Sequence, residues 1–267
     1  MNRGTTIIMM LFAAVAMLAA GSAPAATAAS GPMQLWKKAD EYAANRLYID
    51  AVNTYTQTIR TNKGEIGIDE IARVFSGRAL AYQGLKEYDK AVDDFGNAIR
   101  LDEKNPEHYQ NRAAVYALMD DQARAIEDLT KAIELSPRTM AAYLQRGAAY
   151  LAAGNRDGAV KDYAMVLEFE PKNRMALYNI GLAYRLKGQT DKALEAFNKV
   201  LELDPKHPNA PYQEAAIFSR QGKIDSACIW LETAAENGFQ DWAAVKNDPD
   251  FDKLRDVGCY RKVLSGK

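Results

Sequence analysis

The chain has 267 residues, 48% hydrophobic and 26% charged, with a formal net charge of -1 and a pI of about 6.2. Apolar content is sufficient for a sizeable core, and the near-neutral balance lacks the clustered Lys/Arg surface that phosphate recognition requires, so no nucleic-acid partner is expected. The only histidines, His108 and His207, lie far apart with no second ligand at metal spacing, which argues against a metal centre.

Residues 1–30 differ in kind from the rest of the chain. Arg3 and the amino terminus form a short positive region, Ile7 to Ala20 is an uncharged apolar run, and small residues continue through Ala23-Pro24-Ala25 and Ala26-Thr27-Ala28. That layout resembles a secretory signal peptide. The run is about 14 residues, shorter than the roughly 20 of a spanning helix. No cysteine stands near the cleavage region to carry a lipid. The expectation is a leader over 1–28, or ending at 25, and a mature chain starting near Ala26 or Ala29. It would be exported to the bacterial periplasm without stable insertion in a membrane.

From Ala72 to His207, four segments of 34 residues superimpose without a gap. Position 20 of each is alanine (Ala91, Ala125, Ala159, Ala193), and a large side chain follows four residues later (Phe95, Leu129, Tyr163, Phe197). Position 11 is tyrosine (Tyr82, Tyr116, Tyr150, Tyr184), and position 8 is small (Ala79, Ala113, Gly147, Gly181). Each segment carries two apolar patterns of helical period. Gly154 and Gly188 stop the first helix, Asp120-Asp121 does so in the segment beginning at Pro106, and Pro137, Pro171 and Pro205 end the second. Small residues at positions 8 and 20 let the two helices approach, and the side chain at position 24 fills the space beside them. No single pair buries both faces, so the units must stack.

These residues and their period resemble the tetratricopeptide repeat. The resemblance implies an all-α fold: a right-handed α-solenoid of about six tetratricopeptide helix-turn-helix repeats with a C-terminal helical cap. The array is expected over 29–241, with units near 32–71, 72–105, 106–139, 140–173, 174–207 and 208–241. In the first unit Ala39, Tyr42, Ala51 and Tyr55 keep the phase, but six extra residues, placed at Gly64 to Asp69, predict a longer loop or an extended preceding helix. In the sixth, Pro208 and Pro211 shift the helix start. The segment from Asn237 to Tyr260 resembles a closing segment of bacterial arrays, and residues 242–267 are expected to form the C-terminal cap. Phe239, Trp242, Phe251, Leu254, Tyr260 and Leu264 would cover the last apolar face. Cys228 and Cys259 are two unrelated small hydrophobes in a reducing compartment; after export they form a possible disulfide if the tail folds back over the last helix.

No glycine-rich phosphate loop, nucleophile elbow or His-Glu-x-x-His helix occurs, so neither an enzyme nor a cofactor is expected. Asp93, Asp94, Glu127, Asp128 and Glu195 read as solvated helix faces. In the family, the first helix of each unit turns toward an inner, concave surface. There position 6 reads Asn111, Gln145, Asn179 and Gln213, four amides in register, and position 5 reads Gln110, Leu144, Tyr178 and Tyr212. Leu182 at position 9 and Arg185 at position 12 complete the candidate peptide-binding groove. Amides both donate and accept, which suits the backbone of an extended peptide, and tyrosines supply apolar anchors. The residues needed to clamp a terminal carboxylate are absent, since Ser76, Leu80, Ala141 and Gln145 occupy one such set. The resulting expectation is a protein-protein interaction scaffold or adaptor of the cell envelope, holding a peptide or helix of a partner protein. The alternative is a structural subunit of an envelope or secretion assembly that uses the convex face or the array ends.

Overall fold

The computed structural model describes residues 31–265; the expected leader lies outside them. Six consecutive helix pairs follow one another. They are α1 Pro32–Ala44 with α2 Tyr48–Thr61, α3 Ile68–Gly84 with α4 Tyr88–Leu101, and α5 Pro106–Leu118 with α6 Gln122–Leu135. Next come α7 Met140–Ala152 with α8 Arg156–Phe169, α9 Arg174–Leu186 with α10 Thr190–Leu203, and α11 Asn209–Arg220 with α12 Ile224–Glu236. The tail adds α13 Trp242–Asn247, a 3-10 helix Pro249–Leu254 and α14 Gly258–Ser265. No strand occurs among the described residues. Each first helix packs on its own partner, each second helix on the next unit, and successive first helices also touch, as they must when they line the inside of a curve.

One backbone geometry is repeated at every intra-unit turn. Gly154, Gly188 and Gly222 have φ of 76, 72 and 74°, and the equivalent residues of the first three units, Arg46, Lys86 and Asp120, have φ of 60, 62 and 61°. The turn therefore persists where glycine is absent, at a cost of about 1–2 kcal/mol for each residue with a Cβ. Asp121 also caps α6 by accepting from the Arg124 amide at 3.0 Å.

Of the six extra residues near Gly64, two lengthen the loop as expected, since residues 62–67 connect α2 to α3 where four residues (102–105, 136–139, 170–173) connect the later units, and the other four extend a helix. The helix that gains a turn is the one after the insertion, since α3 begins at Ile68, four residues before Ala72. Asn62 organises the loop before it: its Oδ1 accepts from the Ile66 amide at 2.9 Å, its Nδ2 donates to the Ile66 carbonyl at 3.1 Å, and Ile66 is buried.

Close approach of the paired helices fixes the core. Ala91, Ala125, Ala159 and Ala193 are fully buried, and Phe95, Leu129, Tyr163 and Phe197 fill the space under the facing helix. A Cβ on Gly147 would lie 2.7 Å from the Tyr163 ring. Gly147→Ala is therefore expected to cost about 1–3 kcal/mol by overpacking. Adding Tyr163→Leu, which reproduces the Ala113 and Leu129 of the preceding unit, should recover most of the loss in thermal unfolding.

Asp94 and Asp128 correct the reading of the acidic residues as a solvated face, whereas Asp93, Glu127 and Glu195 are exposed as expected. Both aspartates are buried, and with Asp162 they form a ladder of forked ion pairs inside the units. Arg78 holds Asp94 through Nε and Nη2 at 2.7 Å each, Arg112 holds Asp128 at 2.8 and 2.7 Å, and Arg146 holds Asp162 at 2.8 Å twice. Arg78 and Arg146 also donate to Thr56 and Thr130 of the preceding unit, at 2.9 and 3.1 Å. In the fifth unit the same two positions are Ile180 and Ala196, both buried. In the sixth they are Glu214 and Trp230. Glu214 is 1% exposed, its Oε1 has no hydrogen-bond partner, and burial pushes its carboxyl up to about 7.

Candidate functional site

The open part of the concave face lies over the second to fourth units. There α3, α5 and α7, with the start of α6, enclose a groove of about 460 Å³. Its floor is Ala113, Ala114, Ala117, Ala148, Ala149 and Ala152 with Leu118 and Leu129, and its polar groups are the amides of Gln83, Gln122 and Gln145. Alanine on adjacent turns keeps this floor shallow and apolar, while the amides mark its edges.

Of the four amides in register, three are available. Asn111, Gln145 and Asn179 are half-buried or exposed, and their side chains make no hydrogen bond among the described residues. Gln110, Leu144 and Leu182 are half-buried beside them. The fourth amide differs. Gln213 is buried, accepts from Arg185 Nη1, and donates to the Tyr178 hydroxyl at 3.3 Å. Tyr178 in turn packs against Phe197 and His207, with ring centroids 5.7 and 5.2 Å away.

This end of the face is covered by the chain's own tail. The 3-10 helix packs on α11, Arg185 Nη2 reaches Asp250 at 2.8 Å, and the Tyr212 hydroxyl donates to Asp248 at 2.8 Å. Tyr212 stacks on Phe239 and Phe251 at 4.7 and 5.7 Å. Tyr212, Gln213 and Arg185 thus hold the cap instead of standing free in a groove. Sequence reasoning treated tail and groove as separate because nothing local pairs Arg185 with a residue 65 positions later. Phe239, Trp242, Phe251, Leu254 and Tyr260 are buried between the tail and the last helix pair, and Leu264 is half-buried. Cys228 of α12 and Cys259 of α14 are joined in a disulfide, with Cα atoms 5.8 Å apart. Reduction is expected to lower the stability of the cap by roughly 3–4 kcal/mol on the chain-entropy model, read as an earlier melting transition with dithiothreitol.

Both histidines serve packing. His108 is buried where the second and third units meet, its Nδ1 2.9 Å from the Ser76 hydroxyl and its Nε2 3.9 Å from Asp102. Burial lowers its pKa and keeps the ring neutral. Ser76 is itself buried, so this Ser-His-Asp grouping presents no accessible nucleophile. His207 Nδ1 accepts from the Ala210 amide at 3.1 Å and so helps start α11. Among the described residues, no group of three His, Cys, Asp or Glu side chains could hold a metal ion.

Stacked helix pairs with an open concave face and a closed C-terminal end define the class, a helical-repeat solenoid. Three family models, each described as tetratricopeptide repeat, match residues 72–105 and 175–207, 107–139, and 141–173. The chain belongs to the tetratricopeptide repeat family. Among solved structures it is similar to a tetratricopeptide repeat protein of Parabacteroides merdae ATCC 43184, with 16% identity over 88% of this chain and 96% of the other and a TM-score of 0.68. MamA of Desulfovibrio magneticus RS-1 shares 22% identity over 64% and 96% of the two chains, TM-score 0.60. YrrB, described as a tetratricopeptide protein with an unusual peptide-binding site, shares 20% over 72% and 96%, TM-score 0.58. At these identities the likeness shows the fold. No curated protein matches the chain.

Proposed function

We propose that the chain is a non-enzymatic protein-protein interaction scaffold of the cell envelope that holds a peptide or helix of a partner protein in its concave groove. The observation that carries this reading is the groove of about 460 Å³ over α3, α5 and α7: an apolar alanine floor bordered by the amides of Gln83 and Gln145, which are unbonded among the described residues, and by Gln122, which donates to Asp120 at 3.3 Å. Apolar floor with few convergent polar groups is how peptide grooves combine affinity with orientation. The peptide-binding site of YrrB, on the same fold, supports the choice of ligand. Export rests on the leader-like residues 1–28, and the Cys228–Cys259 disulfide supports an oxidising compartment.

Ala148 is exposed on the groove floor, so Ala148→Arg should fill the groove without disturbing the core. In cross-linking capture from envelope extract, a partner retained by the parent chain should be lost by this variant, with unchanged circular dichroism. Capture that survives the substitution would move the interaction off the concave face. Fractionation after expression of the full chain tests export, which predicts recovery of a shortened, disulfide-bonded form from the periplasm.

A further inference from the structure

Resting on the concave-groove reading, we propose that a small polar pocket at the C-terminal end of the concave face receives a carboxylate side chain of the partner protein. The pocket, about 170 Å³, is lined by Arg185, Thr190, Ile217, Arg220, Gln221 and Asp250. Arg185 is already engaged with Gln213 and Asp250. Arg220 is not: its carbonyl accepts from Lys253 Nζ at 2.9 Å, while its exposed guanidinium has no ion pair or hydrogen bond among the described residues. The Thr190 hydroxyl and the Gln221 amide are likewise unbonded there. One cation without an ion pair and two neutral donors therefore face a space whose single lining carboxylate, Asp250, is paired with Arg185, which Asp248 also approaches at 3.8 Å from outside the lining.

Register places this pocket on the edge of the groove. Arg185 and Arg220 stand at positions 12 and 13 of their units, the rows that supply Gln83, Ala117, Leu118 and Ala152 to the groove. Those rows are uncharged through the second, third and fourth units and carry arginine only in the fifth and sixth. A segment that lays apolar residues over α3, α5 and α7 and places an acidic residue over α9 and α11 matches both the apolar floor and the charge. The aspartate or glutamate would accept from Arg220, Thr190 and Gln221, a charge-assisted arrangement that fixes the direction of the segment along the array.

Two measurements test this independently of each other. In the first, the chain alone is titrated with sodium succinate while arginine Nε–H resonances are followed by NMR. Arg220 and Arg185 should shift together and saturate, Arg138 should not respond, and Arg220→Gln should abolish the Arg185 response. Absence of a response at both arginines overturns the pocket, whatever the groove does. In the second, Arg220→Gln is compared with Ala148→Arg in binding the captured partner. Arg220→Gln should weaken binding about tenfold, the size of one hydrogen bond to a charged group, and flatten its salt dependence. If Ala148→Arg abolishes binding while Arg220→Gln leaves affinity and salt dependence unchanged, the groove stands and the pocket falls. If Ala148→Arg binds normally, the groove reading falls and the succinate titration alone decides the pocket.

Discussion

Asp128→Ala is expected to cost about 3 kcal/mol, whereas Arg112→Ile together with Asp128→Ala should return to within about 1 kcal/mol of the parent chain. The reason is the asymmetry of buried ion pairs. Removing one partner leaves a desolvated charge, and breaking such a pair costs about 3–5 kcal/mol, while apolar replacement of both is often neutral. Arg112 is the cleanest place to test this because its guanidinium bonds only Asp128, without the threonine contact of Arg78 and Arg146. Ile180 and Ala196 show that the fold accepts the double replacement, since the fifth unit already contains it. Arrays of this kind can lose two-state behaviour, so urea midpoints should be accompanied by local hydrogen exchange in α5 and α6. A double variant as unstable as the single one would show that the pair supplies more than mutual compensation.

Glu214→Gln is expected to stabilise the chain at pH 8 by about 3 kcal/mol and to change little at pH 4. Burial raises the carboxyl from 4.5 to about 7 in the folded chain, and no partner offsets that cost. Below pH 4.5 both folded and unfolded chains carry the proton, so folding is not penalised. As pH rises through the window between the two values, the unfolded chain releases its proton first and stability falls, reaching the full loss above the folded value. Glutamine keeps the shape and removes the ionisation, so the gain should grow from pH 4.5 to 8. Thermal unfolding of both chains across that range measures it, and a gain independent of pH would mean that Glu214 is paired or solvated.

The repeat itself was legible because its residues recur at one period: alanine at position 20, the large residue four later, and the prolines report helix ends and close packing from a single line of sequence. The turn at position 15 was only partly legible, since Gly154 and Gly188 announce it while Arg46 and Lys86 adopt the same backbone without a sequence signal. The ion-pair ladder was readable in principle. Arg78, Arg112 and Arg146 recur in phase with Asp94, Asp128 and Asp162, and both members change together at Ile180 and Ala196. Charge alone had suggested a solvated face because a buried arginine and an exposed one look alike in sequence. The end of the concave face was not legible. Asp248 and Asp250 reach Tyr212 and Arg185 only after the 3-10 helix folds back over α11, a long-range contact that no local pattern encodes.

Hydrogen exchange on the chain, free and bound to the partner it captures, tests the central claim most directly. Binding in the concave groove predicts new protection along α3, α5, α7 and the start of α6, with α4 and α8 unchanged. Protection confined to the second helices, or to the exposed end of the first unit, would contradict it and assign the interaction to the convex face or the array end.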